Sequence, residues 1–252
     1  MSERVNLLGV RVSAFDFTSA IREMSTALAE GRRGYCCTCP VYTLMQGHER
    51  REVRAALNEA DWVVPDGVPV VWALKRMGAQ RVGRVYGPDL MLALSEISAR
   101  SGYPQFYVGG APGIADRLSM SMQKRFPGLR VGGTFSPPFR ELNRDEENAM
   151  ISVLNGSGAR IVWVGLGSPK QDLWMARYRH RLNCDLMLGV GAAFDILSGR
   201  RRQAPGWMRK SGLEWTYRLA LEPRRLWRRY LLYNPRFLWR IAQQLAVHSS
   251  KT

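Results

Sequence analysis

A lone carboxylate stands where a strand gives way to a helix. The stretch is Ala60-Asp61-Trp62-Val63-Val64-Pro65-Asp66-Gly67-Val68-Pro69. Proline presets φ, Asp tolerates a tight turn and glycine takes positive φ, so Pro65-Asp66-Gly67 reads as a turn. Val63 and Val64 then end a buried strand, and Val68 to Met77 form a helix. Asp66 falls at the C-terminal end of a strand, where open α/β sheets place their ligands. A carboxylate there can take a proton from a bound hydroxyl. An Asp in a turn can equally be a local hydrogen-bond acceptor and nothing more.

Two glycine-rich turns offer a second kind of chemistry. Gly109-Gly110-Ala111-Pro112-Gly113 follows the strand-like run Gln105 to Val108. Gly165-Leu166-Gly167-Ser168-Pro169-Lys170-Gln171-Asp172 follows Arg160 to Val164. Each precedes a helix, so free backbone N–H groups at the helix start can hold a phosphate. Neither is a full G-x-G-x-x-G, and glycine after a parallel strand often serves only the turn. Taken together they favour a nucleotide or sugar-nucleotide cleft. There is no Walker A sequence and no clear D-x-D metal motif, which argues against a P-loop hydrolase.

The third feature is the basic end. From Gly199, arginine and lysine recur from Arg200 to Arg240 against only Glu214 and Glu222, with Trp207, Trp215, Trp227 and Trp239 interleaved. Pro223 suits a first helical position. At about 100° per residue, Arg224, Arg225, Arg228 and Arg229 share one face, and Leu226, Trp227, Tyr230 and Leu231 the other. A basic amphipathic helix with aromatics reads as an element for an anionic membrane surface. Its arginines also suit bidentate recognition of a diphosphate. The plain alternative is that the apolar face packs on the main body and the arginines are solvated. Nucleic acid is disfavoured, because the charge gathers at one end and no known module is present.

The positioning elements follow from the rest of the chain. Its 252 residues suffice for one large domain, or a domain with an appendage, and the net charge of +16 calls for an anionic partner. Val5 to Val12, broken by Gly9, reads as a short strand or hairpin, and Thr18 to Glu30 as a helix. Strands are expected at Gly34–Thr38, Asp61–Val64, Gln105–Val108, Leu129–Thr134, Arg160–Val164 and Asp185–Val190, alternating with helices. That order implies an α/β fold with a mostly parallel, Rossmann-like sheet covered by helices on both faces. The boundaries are 1–198 for this domain and 199–252 for a basic helical appendage. Cys36, Cys37, Cys39 and Cys184 fit a reducing compartment. The Cys36-x-x-Cys39 pair lies in an apolar run where Cys packs as a small hydrophobe, and no second ligand pair is nearby, so no metal is expected. No secretory signal and no transmembrane segment is expected either.

These stretches resemble the WecG/TagA/CpsF glycosyltransferases. The resemblance is carried by Ala55 to Asp61 with Pro65-Asp66-Gly67-Val68-Pro69, by Arg84-Val85-Tyr86-Gly87-Pro88-Asp89-Leu90, and by Ser136-Pro137-Pro138-Phe139. It continues through Gly165 to Asp172, Gly189 to Asp195, and Ala204-Pro205 through Glu222 to Tyr230. It implies a metal-independent inverting enzyme without a cofactor. Such an enzyme moves a sugar from a UDP-sugar to a polyprenyl-diphosphate-linked sugar at the cytoplasmic face of the bacterial membrane. The family's general base falls on Asp66, its threonine on Thr38, its arginine before the G-x-D-L turn on Arg84, and its glutamine on Gln171. Its arginine-supplying appendage falls on about Gly199 onward, which points to Arg218, Arg224, Arg225 and Arg228. Gly109, Gly110, Gly165 and Gly167 are the expected diphosphate turns.

Two positions depart from the family pattern: Pro40 replaces the Asn two residues after the threonine, and Asp172 replaces the Glu after the glutamine. Pro40 leaves the donor open between UDP-glucose, as in exopolysaccharide synthesis of the xanthan type, and a UDP-ManNAc or uronate type. Direct displacement at an anomeric carbon needs one carboxylate as base and positive charge where UDP departs. The competing function is a non-catalytic nucleotide- or nucleic-acid-binding α/β protein. A homo-oligomer is compatible with either.

Overall fold

Runs of apolar residues four to six long alternate with amphipathic segments, and each run becomes a strand buried on both faces. The computed structural model describes residues 3–249, the side chains of Lys210, His248 and Ser249 excepted. The N-terminal run forms a hairpin of β1 (Arg4–Leu7) and β2 (Val10–Ser13), reversed at Leu8-Gly9 where both residues have positive φ. The main sheet holds β3 (Gly34–Cys39), β4 (Trp62–Pro65), β5 (Gln105–Gly109), β6 (Val131–Phe135), β7 (Ile161–Gly165) and β8 (Leu186–Gly189). Its order is β4-β3-β8-β7-β5-β6, and every pairing is parallel. This is the α/β architecture expected from the alternation of strands and helices.

Side chains alternate between two cores, as the period of two along a strand requires. Tyr35, Cys37, Phe106, Val108, Val162, Val164 and Met187 enter one core. Cys36, Tyr107, Trp163, Leu186 and Leu188 enter the other. Both faces are covered, which explains strands that are continuously apolar. The alternation also disposes of the C-x-x-C spacing. Cys36 and Cys39 lie three apart on β3 and so point to opposite sides of the sheet. All four cysteines are free and buried, and burial raises their thiol pKa values.

The strand order creates the place for a ligand. The helix after β5 (Ile114–Arg125) packs through Ile114 and Leu118 into the second core. The helix after β7 (Lys170–Tyr178) packs through Met175 and Tyr178 into the first. The chain therefore leaves neighbouring strands β5 and β7 toward opposite faces. Such a reversal opens a crevice at the carboxyl ends of the strands.

The basic end is folded against this body. It comprises helices Gly206–Lys210, Glu214–Leu221 and Pro223–Trp227, a π-helical turn Arg228–Leu232, and a helix Tyr233–Ser249. Phe237 and Ile241 of the last helix are fully buried in the same core as Leu44 and Met45. The Gln244 side chain clamps the hairpin: its Oε1 accepts from the Leu8 N–H (2.9 Å) and its Nε2 donates to the Asn6 carbonyl (2.7 Å).

Candidate active site

A cleft of about 1020 Å³ lies at the carboxyl ends of the sheet strands. Thr38 near the end of β3, Asp66 after β4, Gly110 after β5, Gly165 ending β7 with Gly167 beyond it, and Gly191 after β8 all line it. Its far wall comes from the basic end, with Arg201, Arg218, Arg225 and Arg229. The two glycine turns named from sequence meet at the reversal between β5 and β7. The Gly110 N–H donates to the Gly165 carbonyl at 3.2 Å. Gly109 has φ +121°, and a methyl there would come 2.7 Å from the carbonyl carbon of Gly165. Only glycine permits so close an approach of two backbones.

Asp66 is held as the turn chemistry requires. Its N–H donates to the Cys39 carbonyl at 3.2 Å, and the Pro65 carbonyl accepts from the Val85 N–H at 2.8 Å. Gly67 follows at φ +141°, a conformation that side chains resist, and it opens the helix Val68–Arg76. The Asp66 side chain is 19% exposed, on the cleft side. Arg84 donates to it through Nε at 3.2 Å. The same guanidinium donates through Nη2 to Glu214 at 2.7 Å and lies over the Tyr86 ring. Burial raises the Asp66 pKa. Arg84 opposes that rise, and the nearby Glu214 charge adds to it. The outcome is a carboxylate more basic than a free Asp, as a general base should be.

Thr38 and Gln171 brace the floor between β3, β7 and β8. The Thr38 hydroxyl donates to the Gly189 carbonyl at 2.8 Å. Gln171 accepts from the Gly167 N–H at 3.2 Å through Oε1, which pins the second glycine turn. Both side chains are buried yet reach the cleft surface. Beneath Gln171 lies Asp172, fully buried, its carboxylate making no well-formed hydrogen bond. The Ser168 hydroxyl and Cys37 thiol are the polar groups beside it, and burial pushes its pKa up to about 6.

The arginines divide into three groups. Arg218 and Arg229 line the cleft, and among the described residues neither makes an ion pair. Arg229 lies over the Tyr42 ring at 4.0 Å and reaches the Ser168 carbonyl at 3.5 Å. Burial and the like charge of Arg218 lower the Arg229 pKa, whereas Arg218 is raised against its own burial by nearby Tyr230, Glu214, Tyr86 and Asp66. Arg225 and Arg201 also line the cleft, but Glu222 holds both and Asp195 holds Arg201 as well. Arg224 and Arg228 are exposed and stand outside the lining; Arg228 lies over Trp227 at 5.3 Å.

The helix buries Leu226, and Arg229 follows it by three residues, about 60° around the axis, so Arg229 is half-buried at the cleft. Arg228, Trp227 and Leu231 are exposed, so the expected grouping of Arg228 with Arg229 on one face, opposite Trp227 and Leu231, does not hold. The sequence carried Glu214 as a rare acid in a basic segment, and Tyr86, which joins it here.

The basic end holds most of the exposed large apolar side chains among the described residues, including Trp207, Leu221, Trp227, Leu231 and Trp239. No helix among the described residues is long and apolar enough to cross a membrane. No group of three His, Cys, Asp or Glu among them is placed to hold a metal ion.

The sheet reversal, the Pro65-Asp66-Gly67 turn and the arginine-bearing tail agree with a family-level match. The model of the glycosyl transferase WecG/TagA/CpsF family matches residues 5–251, nearly the whole chain. The chain belongs to the WecG/TagA/CpsF family of glycosyltransferases, enzymes of cell-surface polysaccharide synthesis.

Proposed function

We propose that this glycosyltransferase moves a hexose, with inversion, from a UDP-sugar to a saccharide carried on a polyprenyl diphosphate. One juxtaposition carries the reading: Asp66 faces the same cleft as Arg218 and Arg229, which make no ion pair among the described residues. Asp66 takes the proton of the acceptor hydroxyl as that oxygen attacks the anomeric carbon. The bond from that carbon to the UDP oxygen breaks on the opposite side. The charge that develops on the diphosphate meets Arg218 and Arg229 beside the two glycine turns. Such groups stabilise a transition state because they are already oriented where charge appears. Arginine charge thus does what a divalent cation does in other nucleotide-sugar enzymes. Thr38 and Gln171 hold the floor on which the donor lies.

The exposed tryptophans and leucines of the basic end, with Arg224 and Arg228, support contact with the headgroups of an anionic bilayer at the cytoplasmic face. Each such basic residue contributes about 1 kcal/mol near an anionic leaflet. A lipid-linked acceptor would then meet the cleft from the membrane side. Pro40 lines the cleft where the family pattern has Asn, so UDP-glucose and UDP-ManNAc or uronate donors all stay in consideration. A panel of radiolabelled UDP-sugars with a defined polyprenyl-diphosphate-linked acceptor tests the reading. Transfer from one donor supports it, and no transfer from any donor in the panel counts against it.

A further inference from the structure

Glu214 belongs to the basic end, yet it is one of the most deeply set acids at the site, 6% exposed. Both of its oxygens are engaged by one short segment of the main body. Oε2 accepts from Arg84 Nη2 at 2.7 Å, and Oε1 accepts from the Tyr86 hydroxyl at 2.9 Å. Arg84 gives its other edge to Asp66, by a single longer contact at 3.2 Å. A guanidinium beside a carboxylate tends toward a bidentate pair. That pair would quench a base by favouring its charged form. Here one edge of the fork is already taken.

We propose that Glu214 is a positioning residue for transfer: by holding Arg84 away from full pairing with Asp66, it makes the seating of the C-terminal segment and the basicity of Asp66 one event. The proposal rests on Asp66 being the base. The groups facing Asp66 are Arg84 and Tyr86 from the segment after helix Val68–Arg76, Glu214 and Arg218 from helix Glu214–Leu221, and Cys39 from β3. Of these, only Glu214 adds negative charge at neutral pH. Its loss acts twice in one direction. The repulsion that disfavours the Asp66 carboxylate disappears, and Arg84 is freed to pair with it fully.

The test reads Asp66 directly. In protein carrying 13C-labelled aspartate carboxyls, the Asp66 signal is identified by its absence from Asp66→Asn. Glu214→Gln should lower the titration midpoint of Asp66 by about one pH unit or more, the scale of a neighbouring charge. The acid limb of the kcat/KM profile should move down with it, and the plateau should fall because a weaker base accepts the proton less readily. Glu214→Asp keeps the charge but not the reach, and should lower the midpoint less. If Glu214→Gln does not fold, Glu214→Asp decides alone. An unmoved midpoint in folded variants, with transfer still lost in Asp66→Asn, overturns the proposal and leaves Asp66 as base. A lowered midpoint with an unmoved acid limb overturns Asp66 as base, and the proposal with it.

Discussion

Arg229 lies 4.0 Å from the ring centroid of Tyr42, so the π-helical turn of the basic end delivers a cation to the helix Val41–Glu49 that follows β3. Its neighbour Arg218 lines the same cleft, and neither makes an ion pair among the described residues. Two desolvated like charges held together favour an anion between them. Arg218→Ala and Arg229→Ala should each weaken UDP binding by about 1.5–3 kcal/mol, the range for hydrogen bonds to charged groups. That corresponds to roughly 10–150-fold in Kd by titration calorimetry. Arg228→Ala removes an exposed residue outside the cleft and should leave UDP affinity near that of the wild type.

Gly109 against Gly165 gives a second expectation. At φ +121° and 2.7 Å from backbone, Gly109→Ala adds conformational strain to a collision that no side-chain motion relieves. A forced positive φ alone costs about 1–3 kcal/mol. For a chain of this size each kcal/mol lowers Tm by roughly 2–4 °C. Calorimetry should show a loss of several degrees or no cooperative transition. An unchanged Tm would mean that the two turns do not touch.

Asp172 predicts a pH dependence of stability. Its folded pKa of about 6 lies above the ordinary 3.8, so the folded state binds more protons than the unfolded state between these values. Stability from this group is full below about pH 4 and is lost as pH rises to about 6. The whole effect is roughly 2–3 kcal/mol. Asp172→Asn should therefore gain Tm relative to wild type on going from pH 4.5 to pH 7. A difference in Tm that is the same at both pH values would contradict the assignment.

Contact with an anionic surface is best tested without truncation, because Phe237 and Ile241 belong to the core and cutting near Gly199 would expose it. Arg224→Glu with Arg228→Glu changes only exposed charges outside the cleft. The double variant should sediment far less with anionic vesicles, by about 1 kcal/mol or more per reversed charge. UDP binding should be retained. Equal sedimentation would remove this face from the membrane contact.

The alternation of strands and helices, the turn around Asp66 and both glycine turns are legible in the sequence because each depends on neighbours along the chain. Periodicity marks the elements, and Pro65 and Gly67 mark the turn. The strand order is not legible, since pairing β8 between β3 and β7 depends on contacts far apart in sequence. Without that order, nothing in Gly109-Gly110 and Gly165 to Gly167 says that the two turns meet. The charge pattern alone groups Arg228 with Arg229, and only the burial of Leu226 against the body sets which of the two faces the cleft. Glu214 was visible only as an acid among arginines, and its partners Arg84 and Tyr86 lie some 130 residues away.

The account turns on a proton leaving the acceptor for Asp66. The most direct measurement compares Asp66→Asn with wild type for transfer to the lipid-linked acceptor and, separately, for UDP binding. The change keeps shape and removes the basic oxygen. Transfer should fall by roughly 10²–10⁴-fold, the usual worth of general base catalysis, with UDP affinity near wild type. Turnover near the wild-type rate in that variant would contradict it.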